Sequence, residues 1–74
     1  METLKRYAIE IYRVGNNYSA HCPDVPGVLV TGATVEAVKA DFAEALAFHF
    51  EGLRMAGDPI PEPEAIVEYV SVAA

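Results

Sequence analysis

Val35, Val38, Phe42, Leu46, Phe50 and Leu53 recur at three- and four-residue steps, and this stripe constrains the chain more than any other feature. Such steps place side chains on one face of an α-helix, which turns once in about 3.6 residues. The pattern predicts a helix from about Val35 to about Ala56. Thr34 stands at its start as an N-cap, able to accept a hydrogen bond from the first turn. Ala37 occupies the place where a Glu would complete a capping box, and Glu36 complements the positive end of the helix dipole. Gly57 follows the last turn and can adopt the left-handed conformation that ends a helix. The charged positions Glu36, Asp41, Glu44, Glu51 and Arg54 lie away from the stripe. Lys39 sits at its edge, where a long side chain carries its charge out to water.

A single apolar stripe needs a surface to cover, and the preceding residues supply a sheet. Tyr7 to Arg13 alternates, with Tyr7, Ile9 and Ile11 on one side and Ala8, Glu10 and Tyr12 on the other, as a half-buried strand does. Gly15-Asn16-Asn17 provides a hairpin turn, and Tyr18 to Cys22 returns as a second strand. Pro23 ends that strand because proline donates no hydrogen bond to a ladder. Asp24 to Gly27 reads as a stiff turn, in which Pro23 and Pro26 fix φ and Gly27 takes a conformation other residues avoid. Val28 to Thr31 is a short apolar run of the kind found in central strands. Beyond the helix, Asp58-Pro59-Ile60-Pro61-Glu62-Pro63 is forced into an extended path by its alternating prolines. Ala65 to Val72 then alternates as a fourth strand. The helix and proline segment carry the chain back across the sheet, so this strand can pair beside an earlier one. The expected architecture is α+β in the order β-β-β-α-β: one domain over residues 1–74, a small sheet with one long helix on one face. The other sheet face, which carries Tyr12, must meet solvent or a second molecule.

Size and charge narrow the function classes. A chain of 74 residues builds a marginal core unless disulfides, metal, idealised packing or a partner add to it. Cys22 is the single cysteine, which excludes an intrachain disulfide and a cysteine-held zinc and fits a reducing, cytoplasmic setting. Oligomerisation, as a dimer or tetramer, is the route that fits best. Apolar residues make up 53% of the sequence, too many for a disordered chain, yet no run of them is long enough to span a bilayer. Met1 to Arg6 is not followed by the apolar core of a signal peptide. The net charge of −6 opposes direct nucleic-acid binding, where neutralisation of phosphate by Lys and Arg supplies much of the affinity. It suits a small basic protein partner as well as it serves plain solubility.

Catalytic and cofactor chemistry is not legible. Gly15, Gly27, Gly32, Gly52 and Gly57 never fall into a phosphate-binding loop. Ser19 and Ser71, with His21 and His49, lack a surrounding nucleophile motif. His49 lies in the helical stripe with Leu46 three residues before it, where a metal site would need Glu or His. A core or interface histidine accounts for it better than a base or a metal ligand does. His21 and Cys22 are neighbours in a strand and point to opposite faces, so they do not form one site. Asp24 has two readings: a carboxylate bonded within its own turn, which needs no partner, and one that faces a cation. Phe48 lies off the stripe on a flank shared with Ala37, Asp41, Glu44 and Met55. An aromatic and a methionine on a charged flank mark a contact surface. Phe48, Met55, Glu44 and Tyr12 are therefore the expected interface residues. Pro23, Asp24, Pro26, Gly27, Thr34, His49 and Gly57 are the expected structural ones, with no catalytic residue, cofactor or metal.

Several of these segments together resemble one family. Tyr7-Ala8-Ile9, Tyr18-Ser19-Ala20, Pro23-Asp24-Val25-Pro26-Gly27 and Gly32-Ala33-Thr34-Val35-Glu36-Ala37 are similar to the opening half of HicB-like antitoxin domains. Phe48-His49-Phe50-Glu51-Gly52-Leu53 and Gly57-Asp58-Pro59-Ile60-Pro61-Glu62-Pro63 resemble the second half. The resemblance implies a fold similar to a partial ribonuclease H fold, often dimeric. It implies a non-enzymatic role in which the domain masks a small basic mRNA-cleaving toxin of the HicA type. A stand-alone homo-oligomer with a ligand-linked or regulatory role and no cognate toxin is the alternative. Members usually carry a C-terminal DNA-binding segment, helix-turn-helix or ribbon-helix-helix. This chain is expected to lack one, since Ala74 follows directly on the fourth strand. Val28 stands where many members have Cys after the glycine.

Overall fold

Three strands precede one helix: β1 (Glu10–Val14), β2 (Asn17–Cys22), β3 (Val25–Gly32) and α1 (Val35–Ala56). The structure, a computed structural model, describes residues 3–74; Met1 and Glu2, which open the start read above as free of a signal peptide, lie outside them. Among the described residues the strands form an antiparallel sheet in the order β1-β2-β3. The architecture is α+β, with the helix laid across β3 and β2.

Each hairpin is closed by two residues. Between β1 and β2 these are Gly15 and Asn16, with Val14 opposite Asn17. Gly15 has φ 61°, which a side chain resists and which the first position of a type II′ hairpin turn requires. Between β2 and β3 the expected turn over Asp24–Gly27 is corrected. Pro23 and Asp24 alone make it, and Val25 already pairs with Cys22. The corner is drawn into the sheet because Val25 is only 1% exposed: burying that side chain commits the chain to β3 early. The surplus length appears as a bulge, where partners on β3 jump from Leu29 to Val25 while β2 advances one residue, from His21 to Cys22. Gly27, at φ 94°, absorbs it.

β1 starts at Glu10 rather than at Tyr7 for a related reason. Glu10 pairs with His21, so Ala8 and Tyr7 would face Pro23 and Asp24, where β2 has already turned. Tyr7 and Ile9 remain extended and still pack against the core.

The helix has the bounds its stripe requires. The Ala37 N–H donates to Thr34 Oγ1 at 3.0 Å, closing the first turn. At the other end Gly57 takes φ 77°. Its N–H donates to the Arg54 carbonyl at 3.1 Å, and that of Asp58 to the Leu53 carbonyl at 2.8 Å, a Schellman cap. Val38, Phe42 and Leu46 from α1 meet Ala20 and Cys22 from β2 and Val25 from β3 in one buried cluster. Tyr7, Ile9, Ile11, Tyr18, Val28, Val30 and Phe50 pack around it, half-buried.

The expected fourth strand over Ala65–Val72 does not form. Among the described residues no strand follows α1, and this segment is exposed throughout. Alternation gives a segment the capacity to pair, and here nothing within the chain completes the ladder. The segment's root is nevertheless fixed. Lys5 Nζ donates to both Glu62 carboxylate oxygens at 2.7 and 2.8 Å, and Tyr7 Oη donates to the Pro61 carbonyl at 2.6 Å. The Glu62 carboxylate, accepting that bond, raises the Lys5 ammonium above its usual pKa.

Gly32 is where β3 comes closest to the helix. A Cβ built there would stand 3.0 Å from Val38 Cγ2, and Val38 is fully buried and β-branched, so it has nowhere to turn. Gly32→Ala should therefore destabilise the domain by about 1–3 kcal/mol through overpacking. Urea denaturation checks this; an unchanged midpoint would show that the helix can lift off β3 without loss.

Candidate functional site

The sheet face opposite α1 is the surface that the fold leaves open. Period-two alternation sends Ile11, Ala20 and Val30 towards the helix and their neighbours outward. The register lines the outward residues into two rows: Glu10 opposite His21 opposite Leu29, and Tyr12 opposite Ser19 opposite Thr31. Tyr12 and Leu29 are exposed, at 54% and 68%.

Polar bonds stiffen the centre of this face. Tyr12 Oη donates to Glu10 Oε2 at 2.7 Å, and His21 Nε2 stands 3.2 Å from Glu10 Oε1. The Tyr12 and His21 rings stack, 5.7 Å apart and 10° from parallel, a diagonal contact across β1 and β2. The Tyr12 hydroxyl stabilises the ionised Glu10 carboxylate and, with help from neighbouring His21, holds its pKa below the ordinary 4.5. The same bond raises the Tyr12 phenol, since donating to the Glu10 carboxylate holds the hydroxyl proton in place and the negative charge of Glu10 disfavours a phenolate. The result is a flat aromatic surface next to a fixed acidic group, with an aliphatic side chain on the adjoining strand. It offers π-stacking, a carboxylate for a cation and apolar contact, and nothing in it is arranged to attack a bond.

The residues expected at an interface fall on two surfaces. Glu44, Phe48 and Met55 lie together on the side of α1 turned away from the sheet, Phe48 at 84% and Met55 at 82% exposed. Tyr12 lies on the far side of the sheet, so the structure does not bring it to them. His49 is half-buried beside Phe50, with ring centroids 6.2 Å apart. Among the described residues no three His, Cys, Asp or Glu side chains gather as a metal site, and no helix is long and apolar enough to cross a membrane.

Asp24 works differently from either reading of the sequence. Its Oδ2 accepts the backbone N–H groups of Glu64 at 3.1 Å and Ala65 at 3.0 Å, about forty residues away. The Pro23–Gly27 corner thereby clips the chain that leaves α1 to the end of β2. Sequence could not show this, because a carboxylate in a turn carries no sign of which distant amides it will receive. His21 and Leu29 were also missed as surface partners of Tyr12. The two-residue turn at Gly15 and Asn16 would have set Glu10 opposite His21, but Leu29 depends on the bulge.

The geometry is that of a small α+β domain with an open sheet face and a separate apolar flank on its helix. The chain belongs to the HicB-like antitoxins of bacterial toxin–antitoxin systems, whose family model matches residues 7–73. A curated relative, the "Uncharacterized 14.9 kDa protein in rep-hol intergenic region" of Haemophilus phage HP1 (strain HP1c1), is 32% identical over 65 residues. The match takes in 88% of this chain and 49% of that protein, so the chain spans about half the length of the relative. No solved structure gives a significant match.

Two outcomes test this geometry. In Tyr12→Phe the Glu10 carboxyl loses its donor and should titrate at higher pH, towards its ordinary value, in an NMR pH titration. For the parent protein the sign is the reverse: a lowered carboxylate pKa contributes stability above pH 4.5, lost as pH falls through the folded-state value. In Asp24→Ala the Glu64 and Ala65 amides should lose hydrogen-exchange protection while those of α1 keep theirs. Equal protection in variant and parent would mean the clip holds nothing.

Proposed function

We propose that this domain is an antitoxin-type binding module that masks a small basic mRNA-cleaving toxin of the HicA type by occluding its surface. The observation that carries the reading is the family match across residues 7–73. Two physical features support it. With a net charge of −6 the chain favours encounter with a basic protein and disfavours direct contact with nucleic acid. The open face presents an aromatic pair and a carboxylate whose charge is held at low pH, the chemistry that receives Arg and Lys side chains of a basic partner. Arg stacks on the face of Tyr12 in this reading, and its guanidinium meets Glu10. Masking of this kind takes place in the cytoplasm, where the toxin meets mRNA.

A second reading, a stand-alone homo-oligomer with a ligand-linked or regulatory role and no toxin, is favoured by the exposed apolar residues after α1. The two part on one measurement. Co-expression with the product of a neighbouring reading frame of about 60–80 residues, the size of one small domain, should yield a complex and relieve toxicity. Tyr12→Ala should then weaken that complex about 10- to 30-fold, the loss of roughly 1.4–2 kcal/mol at an aromatic anchor. If no basic protein co-purifies and a toxic ribonuclease stays active beside the chain, the masking role is wrong.

A further inference from the structure

The segment Ala65–Val72 has the composition of a strand and the environment of none. Ile66, Tyr69 and Val70 are 87%, 89% and 87% exposed, and Val67 and Val72 are also open. Large apolar side chains in such density rarely stay in water unless they mark a contact. The molecule is long for its size: its long axis is 47 Å, where a helix of 22 residues spans about 33 Å. The radius of gyration, 14.1 Å, exceeds the roughly 11 Å of a compact domain of this length.

The same chain holds a vacant place for a strand. β1 pairs on one side only, with β2, so its outer edge presents unmatched N–H and C=O groups. A cleft of about 420 Å³ runs between that edge and the chain's own C-terminal segment, lined by Ala8–Tyr12 on one wall and Ala65–Tyr69 on the other. Among the described residues no backbone hydrogen bond crosses it. The clip of Asp24 on Glu64 and Ala65 holds the far wall in place at its root.

We infer that the cleft receives the Ala65–Val72 segment of a second copy of this chain, in reciprocal exchange about a two-fold axis. Each segment then pairs on one side with the partner's β1 and on the other with the partner's equivalent segment. The two three-stranded sheets become one continuous sheet across the dimer, and both exposed β1 edges disappear. A two-fold contact is self-complementary, so one unpaired strand and one vacant edge per chain suffice to close it. The areas agree. Burying an aliphatic side chain removes about 60–120 Å² from water, taking about 1.5–3 kcal/mol at about 25 cal/mol per Å². Four such side chains and Tyr69 from each copy, with the edges that receive them, reach the roughly 1,200–2,000 Å² of a stable interface. This inference does not rest on the antitoxin reading, since its occupant is the chain itself.

Light scattering on the full 74-residue chain should give twice the 8.0 kDa mass. Removal of Ala65–Ala74 should give a folded monomer at the same concentration, because the buried cluster lies wholly between Ala20 and Leu46. The double variant Val67→Pro/Glu68→Pro keeps the chain length and should dissociate the dimer too. Successive N–H groups of a strand point to opposite sides, so one of the two prolines must remove a donor from each ladder. In a dimer mixed from differently isotope-labelled chains, contacts between Ile66–Val70 and Glu10–Val14 should appear across chains. A monomeric full-length chain, a dimer that survives both variants, or contacts confined to one chain would overturn the inference. Failure to bind a toxin bears on the function proposed above and leaves these readings unchanged.

Discussion

Everything in this small domain hangs on the burial of one helical stripe against one hairpin. Val38, Phe42 and Leu46 meet Ala20, Cys22 and Val25, and these six side chains are the whole buried core among the described residues. They come from three elements separated by two tight turns, so each turn is constrained by the need to deliver its strand to the helix. The small residues matter as much as the large. Ala20 leaves room for the Phe42 ring on the sheet, and Gly32 lets Val38 come close to β3 at the point where the chain turns into α1. A core of this size leaves little stability in reserve, which makes contacts outside it consequential.

Once the helix has taken one sheet face, the remaining surfaces have distinct characters. The opposite face is organised by bonds among Glu10, Tyr12 and His21, which present the aromatic rings flat and keep a carboxylate charged. The outer side of α1 carries Phe48 and Met55 among acidic residues. The edge beside β1 is unfinished, with an extended apolar segment standing across a cleft from it. The masking and the self-association proposed above call on two surfaces that do not compete. A sheet edge used for self-association leaves the open face, with its carboxylate and rings, to a basic protein.

Asp24 links these levels. A hairpin turn of Pro23 and Asp24 would close without its carboxylate, yet that carboxylate takes two amides from the chain that follows the helix. The corner from Pro23 to Gly27 therefore does more than turn the chain. It ties the β2–β3 turn to the chain that follows the helix, and so sets where the C-terminal segment starts.

The helix was legible in full, from Val35 to Ala56, because its period, its Thr34 cap and its Gly57 stop are local and agree with one another. The turn of the first hairpin was placed at Gly15, the residue at positive φ, but Asn17, expected in the turn, belongs to β2. The α+β class followed from the order of these patterns, and the family from the resemblance of its segments to HicB-like domains. What sequence could not give was anything that depends on a distant partner. β1 lost Tyr7 and Ala8 because β2 turns at Pro23 before it could match them, and β3 gained Val25–Gly27 because the core draws Val25 in. The Tyr12 surface was anticipated on its correct face, but its companions His21 and Leu29 came from register and a bulge. Alternation in Ala65–Val72 correctly marked a segment able to pair, and only the folded chain revealed that it has no ladder of its own. Periodicity and capping act over a few residues and are written into the sequence. Pairing, burial and the destination of a carboxylate are settled by what the rest of the chain places within reach.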